Sequence, residues 1–405
     1  MRTIEGLILL SAGAALSAAP LDRNWFQRSL EEETTHWRVA AATSNGFFQP
    51  NLDRQWRPAP KQIGTLVSQC RQIYVMAAGY EATRNAAFLE SLRKGTDFLL
   101  AHFRDSEHGG YFFSTTPEGK VVDDSKDSYG HAFVIFGLSH AARVTGDARY
   151  REAALKAWAD MKKHFRDGPV FIKPRLNRTF SAARGANSQN PMMHLFEALL
   201  ALHDATGSRE VYRDARTLAD AIFSRLFQER GGYLPEFYDS DWKPMPPEKR
   251  GHIDLGHQFE WAFLLSHAVE KGFPKQYLKT AGRLLDYGMA KAWDSEAGGI
   301  YSRSSYDGVV VKEPKMWWQQ AEHLRAVSHY AALRGRSDLW PAFDKSLDFV
   351  KRNFMDSEYG GWYFDYDPAR PREEKRTHKG LPTQIGYHVV GFYAEGLRLS
   401  ERKMK

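Results

Sequence analysis

The sequence predicts an all-α fold, an (α/α)6 barrel of six helical-hairpin repeats with short β-hairpins in the connecting loops. Three observations lead to this fold: a glycine phrase recurs at near-constant spacing, the helical patterns alternate in character, and the terminal repeats are no more polar than the others. An open solenoid of the same hairpins would need polar capping repeats. The sequence therefore favours a closed ring.

The glycine phrase defines the repeats. Gly-Gly pairs begin at residues 109, 231, 298 and 360, and three of them complete the pattern Asp-Ser-Glu-x-Gly-Gly. The first gap is about twice the others, which predicts a degenerate copy near residue 170, where Gly168 lies. Gly46 marks a further copy upstream. Six units of about sixty residues fill the chain, a length typical of repeat architectures.

Two kinds of helix alternate along each unit. Residues 88–100, before a glycine phrase, carry apolar side chains at three- and four-residue spacing, as in a helix with one buried face. Residues 261–265, after a phrase, belong to a helix that is apolar nearly all round. One-sided helices belong outside and all-round apolar helices inside. Between them, turns such as Asp307-Gly308 predict short hairpins.

Composition excludes several classes of protein. Of 405 residues, 42% are hydrophobic and 26% charged, which excludes wholesale disorder. The net charge of +7 is scattered, without the basic stripe that nucleic acid requires. The single Cys70 excludes an internal disulfide and any Cys-based metal site. We expect neither nucleic acid nor a membrane as partner; monomer and homodimer both remain open.

Residues 1–19 resemble a secretory signal peptide. Arg2 precedes an apolar stretch over residues 4–10, and Ala15-Leu16-Ser17 offers a small-x-small cleavage site. Glu5 opposes this interpretation, and the alternative is a retained N-terminal helix in a cytoplasmic protein. The signal predicts a periplasmic or secreted protein, with residues 20–405 as one catalytic barrel.

Polar residues gather where the inner helices begin. In this barrel the inner helices are parallel, so their N-termini open at one end and their first side chains converge. Any one such residue can be a satisfied core residue, but histidines at the start of four inner helices indicate a shared function, because burying polar groups is costly. We expect one cavity lined by these residues. They include Arg71, Lys126, Tyr129, His131, Asn190, His194, Glu197, His257, Glu260, Trp317, Trp318, Gln320, Glu322, Tyr387 and His388.

The residue types suggest proton transfer on a sugar. A helix N-terminus lowers the pKa of a histidine, and a neutral imidazole is a suitable general base. His-x-x-Glu occurs at His194 and His257, which places a carboxylate on the same helical face. These pairs can orient an imidazole, hold a sugar hydroxyl or bind a metal. We predict no metal, because the further ligands of a di-metal bundle are not evident.

Three motifs resemble those of the N-acylglucosamine 2-epimerase superfamily, which includes sugar 2-epimerases, cellobiose 2-epimerases and mannose isomerases. The resemblance covers essentially the whole chain after the N-terminal segment. It implies an (α/α)6 barrel and cofactor-free chemistry at C2 of a reducing sugar. The motifs are Gly256-His257-Gln258-Phe259-Glu260-Trp261, Trp317-Trp318-Gln319-Gln320-Ala321-Glu322 and Tyr387-His388.

The resemblance also implies site residues. The two catalytic histidines of the family fall on His257 and His388, and its arginine in the first inner helix falls on Arg71. The Asn-x-x-x-His pattern and the tryptophan pair of the cellobiose epimerases fall on Asn190, His194, Trp317 and Trp318. The Gly-His-x-x-Glu-Trp form instead resembles mannose isomerases. The family often has an arginine two or three residues after the second histidine, where this chain has Val390-Gly391. The substrate therefore stays open.

We predict a role for each of these residues. His388 is the base, because no carboxylate stands at i+3 to engage it, and His257 is the acid. Glu260 orients His257 or opens the sugar ring. Arg71 stabilises the enediolate oxygen. The predicted substrate-binding residues are Asn190, His194, Trp317, Trp318, His131, Tyr129 and Glu322.

Two other functions remain open. A glycosidase or unsaturated-uronide hydrolase on the same barrel would need a pair of carboxylates about the scissile bond. A non-catalytic sugar-binding protein would explain the tryptophans but not the histidines. Epimerisation and aldose-ketose isomerisation are also left undistinguished. The carboxylates available to a hydrolase are Glu197, Glu260, Glu322, Asp123, Asp124 and Asp127.

Overall fold

The structure, a computed structural model, describes residues 21–312, 314–369 and 377–402. The predicted signal peptide, residues 1–19, lies outside these residues. Twelve α-helices within the described ranges alternate between an outer and an inner ring, as predicted. The outer helices are α1 (Arg23–Ala41), α3 (Ala86–Phe98), α5 (Ala148–His164), α7 (Arg209–Arg225), α9 (Tyr277–Lys291) and α11 (Trp340–Asn353). The inner helices are α2 (Leu66–Thr83), α4 (Ser128–Thr145), α6 (Gln189–Thr206), α8 (Leu255–Glu270), α10 (Trp317–Leu333) and α12 (Tyr387–Ser400).

Burial follows the pattern that separates the two rings. Helix α7 buries Val211, Ala215, Leu218 and Ile222, which form one stripe at helical spacing. Helix α8 is buried almost all round, from Leu255 through Ser266. The last inner helix, α12, packs against both α1 and α2, so the ring closes on itself. No helix in the described ranges has the length and apolar character needed to cross a membrane.

Short strands join neighbouring repeats at the end where the inner helices begin. Six antiparallel pairings link the loop before one inner helix to the loop of the next repeat: β2–β3, β5–β8, β10–β11, β12–β13, β15–β16 and β1–β17, which joins the first loop to the last. β4, β7, β9 and β14 complete local hairpins, including the one turning at Asp307-Gly308. The strands are β1 (Leu52–Asp53), β2 (Gly64–Thr65), β3 (Ser114–Thr115), β4 (Val121–Asp123), β5 (Lys126–Asp127), β6 (Arg166–Asp167), β7 (Phe171–Ile172), β8 (Arg175–Leu176), β9 (Ala183–Arg184), β10 (Asn187–Ser188), β11 (Phe237–Tyr238), β12 (Ile253–Asp254), β13 (Arg303–Ser304), β14 (Val310–Val311), β15 (Lys315–Met316), β16 (Asp365–Tyr366) and β17 (His378–Gly380).

The fourth residue of four inner helices clamps the glycine phrase of its own repeat. Gln69 accepts the backbone N–H of Phe48 at 2.9 Å. Gln258 and Gln320 accept the equivalent N–H groups of Leu234 and Ile300 at 3.0 and 2.7 Å. In α4 the fourth residue is His131, and its Nε2 accepts from Tyr111 at 2.9 Å. Each clamp satisfies a buried backbone donor that would otherwise destabilise the loop.

Three buried ion pairs fasten the same loops to the inner helices. Lys126 lies 2.8 Å from Asp105, Lys315 lies 2.8 Å from Asp294, and Lys379 lies 3.0 Å from Asp356. In each pair the aspartate begins the glycine phrase, and the lysine stands before an inner helix. Removing one partner of a buried pair costs about 3–5 kcal/mol, because the other charge is left unpaired. The rim on which the inner helices open is therefore rigidly held.

Candidate active site

A cavity of about 420 Å³ opens at the N-terminal end of the inner helices, within the usual volume for a small-molecule site. It brings together most of the residues that the sequence predicted for the site. Those that line it are Arg71, Tyr129, Asn190, His194, His257, Trp317, Trp318 and His388. Glu260 and Glu322 lie fully buried beneath the cavity, next to its histidines, and are not part of its wall.

The indole of Trp318 contacts both predicted catalytic histidines. Its ring centroid lies 4.9 Å from that of His257 and 5.3 Å from that of His388. Gly256 makes room for this packing, since a Cβ there would meet Trp318 at 2.9 Å. The second tryptophan, Trp317, is 5% exposed and packs against Phe364. Trp318 is thus the tryptophan of the pair that contacts both imidazoles.

His257 is surrounded by carboxylates. Its Nδ1 lies 2.7 Å from Glu236 and 3.8 Å from Asp254, the residue that caps α8. Burial acts to lower the pKa of His257, but the negative charges of Glu236, Asp254 and Glu260 outweigh it and raise that pKa to about 10. The expectation that this histidine is neutral is therefore wrong, because a helix N-terminus is a weaker influence than two adjacent carboxylates. Its hydrogen-bonding carboxylate is Glu236, where we expected Glu260.

His388 is paired as well. Its Nδ1 lies 2.8 Å from Glu322, a residue of the neighbouring helix α10. The expectation that no carboxylate engages His388 is wrong, since a search limited to i+3 does not reach across helices. Burial lowers the pKa of His388 well below its ordinary value, and the positive charge of Arg71 acts in the same direction. His388 is consequently the neutral partner of a cationic His257.

A layer of acidic residues forms the floor of the cavity. His194 Nδ1 lies 3.2 Å from Glu197, which also accepts the hydroxyl of Tyr387. Neither oxygen of Glu260 has a hydrogen-bond partner within the described part of the chain, and Oε1 lies 3.8 Å from His194 Nε2. Burial and the neighbouring carboxylate of Glu322 raise the pKa of Glu260 well above its ordinary value. Burial and this neighbouring charge thus favour the protonated form of Glu260.

The floor also holds nitrogen and oxygen atoms of the kinds that ligate cations. Two overlapping groups bring nitrogen and oxygen atoms within 4.8 Å of one another: one joins Glu260 to His194 and Glu197, the other joins it to Glu322 and His388. The Nδ1 atoms of both histidines already have carboxylate partners. The donor set therefore fits a network that shares protons among its own members better than a cage around an ion.

Arg71 lines the cavity and has one unpaired donor. Its two terminal nitrogens donate to the carbonyl of Thr383 at 2.9 Å and the hydroxyl of Tyr129 at 2.7 Å. Its Nε–H has no acceptor among the described residues, although the side chain is only 3% exposed. The side-chain carbonyls of Asn190 and Gln384 also lack donors there. Unpaired buried polar atoms around one cavity indicate that a polar ligand completes them.

His131 does not reach the cavity. It is fully buried, holds Tyr111 through Nε2, and its Nδ1 lies 2.7 Å from the carbonyl of Asp127. The prediction that it binds substrate is therefore wrong: it is a loop clamp equivalent to Gln69 in α2. The four histidines also differ in register, since His194, His257 and His388 are the sixth, third and second residues of their helices.

The position shared among the inner helices, which we had expected for the histidines, is the sixth residue of the helix. It holds Arg71, His194, Glu260 and Glu322, one from each of four inner helices, and all four lie at the floor or lower wall of the cavity. A search for one repeated residue type overlooks such a layer, because its members share a height in the barrel and differ in chemistry.

Sequence reasoning missed the residues contributed by the loops. Glu236 stands three residues after the turn at Tyr233, with no helical spacing to connect it to His257. The only signal in the sequence is that Glu236 follows the glycine phrase of its repeat, in a loop at the mouth of the barrel. The other missed residues of the cavity wall are Phe237, Arg250, His252, Asp254, Met316, Thr383 and Gln384.

Comparison with known proteins gives the same assignment along most of the chain. The N-acylglucosamine 2-epimerase family (GlcNAc 2-epimerase) matches residues 46–391. The D-mannose isomerase of Thermobifida fusca is 30% identical over 391 residues, covering 90% of this chain and 92% of that protein. The cellobiose 2-epimerase of Bacteroides fragilis is 24% identical, covering 84% and 86%.

The fold has close structural neighbours. A crystal structure of a D-mannose isomerase superposes with a TM-score of 0.86 at 23% identity, covering 94% of this chain and 99% of the other. At that identity the likeness establishes the (α/α)6 barrel. Together with the family match along residues 46–391, it places the chain: the protein is an enzyme of the N-acylglucosamine 2-epimerase family, the family of the carbohydrate epimerases and isomerases.

Proposed function

We propose that the enzyme moves a proton at C2, or between C2 and C1, of a reducing aldose through an enediolate. One observation carries the proposal: two histidines of one cavity, both against Trp318, have pKa values displaced in opposite directions. When their environments shift the pKa values of two titratable groups in opposite directions, one group is suited to act as an acid and the other as a base. His388, neutral, is the base, and His257, protonated, is the acid.

The proton transfers balance without a cofactor. His388 removes the C2 proton of the open-chain sugar, and the electrons move to the carbonyl oxygen to form an enediolate. The free Nε–H of Arg71 stabilises that oxygen, as donors in a dry site do for developing negative charge. Proton delivery by His257 to the opposite face of C2 gives the 2-epimer. Delivery to C1, with the O2 proton passing to O1, gives the ketose.

The floor supports opening of the sugar ring. The proton that opens the ring is assigned to this acidic floor, where Glu260 Oε1 lies 3.8 Å from His194 Nε2 and His194 lines the cavity. Asn190 and Gln384 then hold sugar hydroxyls through their unpaired carbonyls. In this assignment Glu236 takes the place beside His257 that we first gave to Glu260.

The carboxylates do not favour the hydrolase alternative. Glu197 and Glu322 are bonded to His194 and His388, and Asp127 caps α4. The carboxylates in the wall of the cavity, Glu236 and Asp254, both engage His257. A glycosidase needs two carboxyl groups on opposite sides of the scissile bond. Here Glu236 and Asp254 of the wall, and Glu197 and Glu322 of the floor, are all paired with histidines.

Exchange with heavy water tests the proposal. The protein is incubated in D₂O with mannose, glucose, N-acetylmannosamine and cellobiose, and products are followed by NMR. Mannose comes first, because the relative at 30% identity is a D-mannose isomerase. We expect deuterium at C2 of an epimer or at C1 of a ketose. Shortened chains would indicate a hydrolase, and unchanged sugars with measurable binding would indicate a binding protein.

A further inference from the structure

Helix α12 has a gap one turn after the catalytic histidine. Gly391 follows His388 by three residues and so lies on the same helical face. The guanidinium of Arg325 occupies the space beside this glycine. A Cβ at position 391 would meet Arg325 Nη1 at 3.3 Å and Cζ at 3.4 Å, a contact tighter than most. Glycine at 391 thus lets an arginine of α10 approach the α12 backbone.

Arg325 is held in this position by a ring and a carboxylate. Its guanidinium lies 3.9 Å from the ring centroid of Phe263, on α8. Nη1 lies 3.5 Å from Glu322, three residues earlier on the same helix. Glu322 thus connects Arg325 to His388: it lies 3.5 Å from Arg325 Nη1 and 2.8 Å from His388 Nδ1. The arginine sits behind the base, away from the sugar.

We infer that Arg325 is a positioning residue for His388: it keeps Glu322 as a carboxylate, which takes the Nδ1 proton of His388 and leaves the Nε2 lone pair to the sugar. This inference rests on the proposed function, in which His388 is the base. A carboxylate accepts hydrogen bonds only, whereas a protonated Glu322 would donate to Nδ1 and move the imidazole proton to Nε2. In that tautomer His388 cannot accept the C2 proton.

Glu322 needs such a cation. Burial raises its pKa to about 7 even though the positive charge of Arg325 acts to lower it. Without that charge the carboxyl group would be protonated at neutral pH. Other charged or titratable groups face Glu322, His388 and Arg325 from the surrounding inner helices. They are Arg71 and Tyr74 of α2, His194 and Glu197 of α6, Glu260 of α8 and Tyr387 of α12.

These surrounding groups do not replace Arg325. Glu197 raises the pKa of Glu322, and Glu260 lies beside it as a third carboxyl group. Arg71 has its own partners in Thr383 and Tyr129. Arg325 is the arginine that contacts Glu322 directly.

The test is the pH profile of kcat/KM in Arg325→Gln, Arg325→Lys and the wild type. We expect the wild-type rate to fall below about pH 7, as Glu322 becomes protonated. In Arg325→Gln this acidic limb moves upward by about one pH unit or more, so kcat/KM at pH 7 falls about fivefold or more and recovers toward pH ~9. Arg325→Lys retains a charge and keeps most of the wild-type profile.

The matched control is Arg334→Gln. Arg334 caps the C-terminal end of α10, the helix that carries Arg325, and its Nε donates to Ser266 at 2.8 Å. Its loss should leave the acidic limb in place. An Arg325→Gln limb that coincides with the wild type, with activity lowered equally at every pH, would show a merely structural role. Lysine no better than glutamine would also overturn the inference.

A second measurement works without turnover. ¹⁵N-histidine NMR, with the His388 signal assigned by its loss in His388→Asn, reports the tautomer directly. We expect the Nδ1–H form at pH 8 and a change of state near pH 7 in the wild type. An Nε2–H form at pH 8 refutes the inference even in an active enzyme. Absence of deuterium incorporation from every sugar refutes the proposed function. The role of Arg325 is then decided separately, by whether the tautomer of His388 at pH 8 differs between Arg325→Gln and the wild type.

Discussion

Two sets of polar side chains stand near the start of the inner helices, and they differ in how they repeat. The clamps Gln69, Gln258 and Gln320, with His131 as their fourth member, share the fourth position and one task, the backbone N–H after the glycine phrase. His257 and His388, the proposed acid and base, occupy different positions and have no counterpart of their own type in register.

The difference has a physical reason. Each clamp satisfies the same backbone group in the same geometry, so each repeat offers one suitable position. The sugar that we propose as substrate is asymmetric and would bind once at the barrel axis, so each helix would present a different group to it. Similar residues in register therefore indicate a structural role in this barrel, and dissimilar residues at one height, such as Arg71 and Glu260 at the sixth position, indicate the site.

The largest effect should come from His388→Asn. Loss of a general base costs on the order of 10²–10⁴-fold in rate, and we expect the loss in kcat with thermal stability near that of the wild type. Product formation from the preferred sugar measures it. His257→Asn should also stop product formation while the surviving base exchanges the C2 proton with D₂O. A fully active His388→Asn enzyme would remove His388 from the mechanism.

Glu236→Gln should act through His257. The carboxylate of Glu236 is the main cause of the raised pKa of His257, about 10, so activity that needs protonated His257 persists up to that pH. Neutralising Glu236 lowers the pKa, and the basic limb of the kcat/KM profile should move down by about 1–3 pH units. At pH 9 the loss is about twofold for a shift of one pH unit and about tenfold for a shift of two.

The control for Glu236→Gln lies in the same loop. Glu248 is an exposed residue of the short helical turn Pro247–Lys249. Glu248→Gln should leave the basic limb in place. A Glu236→Gln profile identical to the wild type would show that another group titrates at high pH, and the acid would have to be sought elsewhere in the cavity.

The repeat pattern predicted the barrel and the end at which the site lies, including the degenerate unit, where β6 and β7 pair around Gly168. It did not predict which polar residues serve the loops. His131 was assigned to the cavity although Gln69 and Gln320 stand at its position in other repeats, a comparison within the sequence that indicates a clamp. Glu236 and Thr383 could not be predicted from the sequence, because loop residues come together through the tertiary structure and follow no sequence period.

His131→Ala should reduce stability and leave catalysis intact. The change removes the acceptor of the Tyr111 N–H, and an unsatisfied buried donor costs about 1–3 kcal/mol. Urea unfolding measures the loss, and kcat of the folded enzyme should match the wild type. His131→Gln should recover most of the stability, since glutamine performs this task in three other repeats. A large fall in kcat in folded His131→Gln would return His131 to the site.

The smallest effect should come from Asn190→Ala. Asn190 lines the cavity, and its side-chain oxygen has no donor among the described residues, so a sugar hydroxyl is its expected partner. A single neutral hydrogen bond contributes about 0.5–1.5 kcal/mol, which corresponds to a rise in KM of a few-fold to about tenfold. Asn190 touches no proton that moves, so kcat and both limbs of the pH profile should stay near the wild type. Steady-state kinetics on the preferred sugar separates the two constants. A fall in kcat with unchanged KM would place Asn190 in the transition state instead, beside Arg71 as a partner of the enediolate.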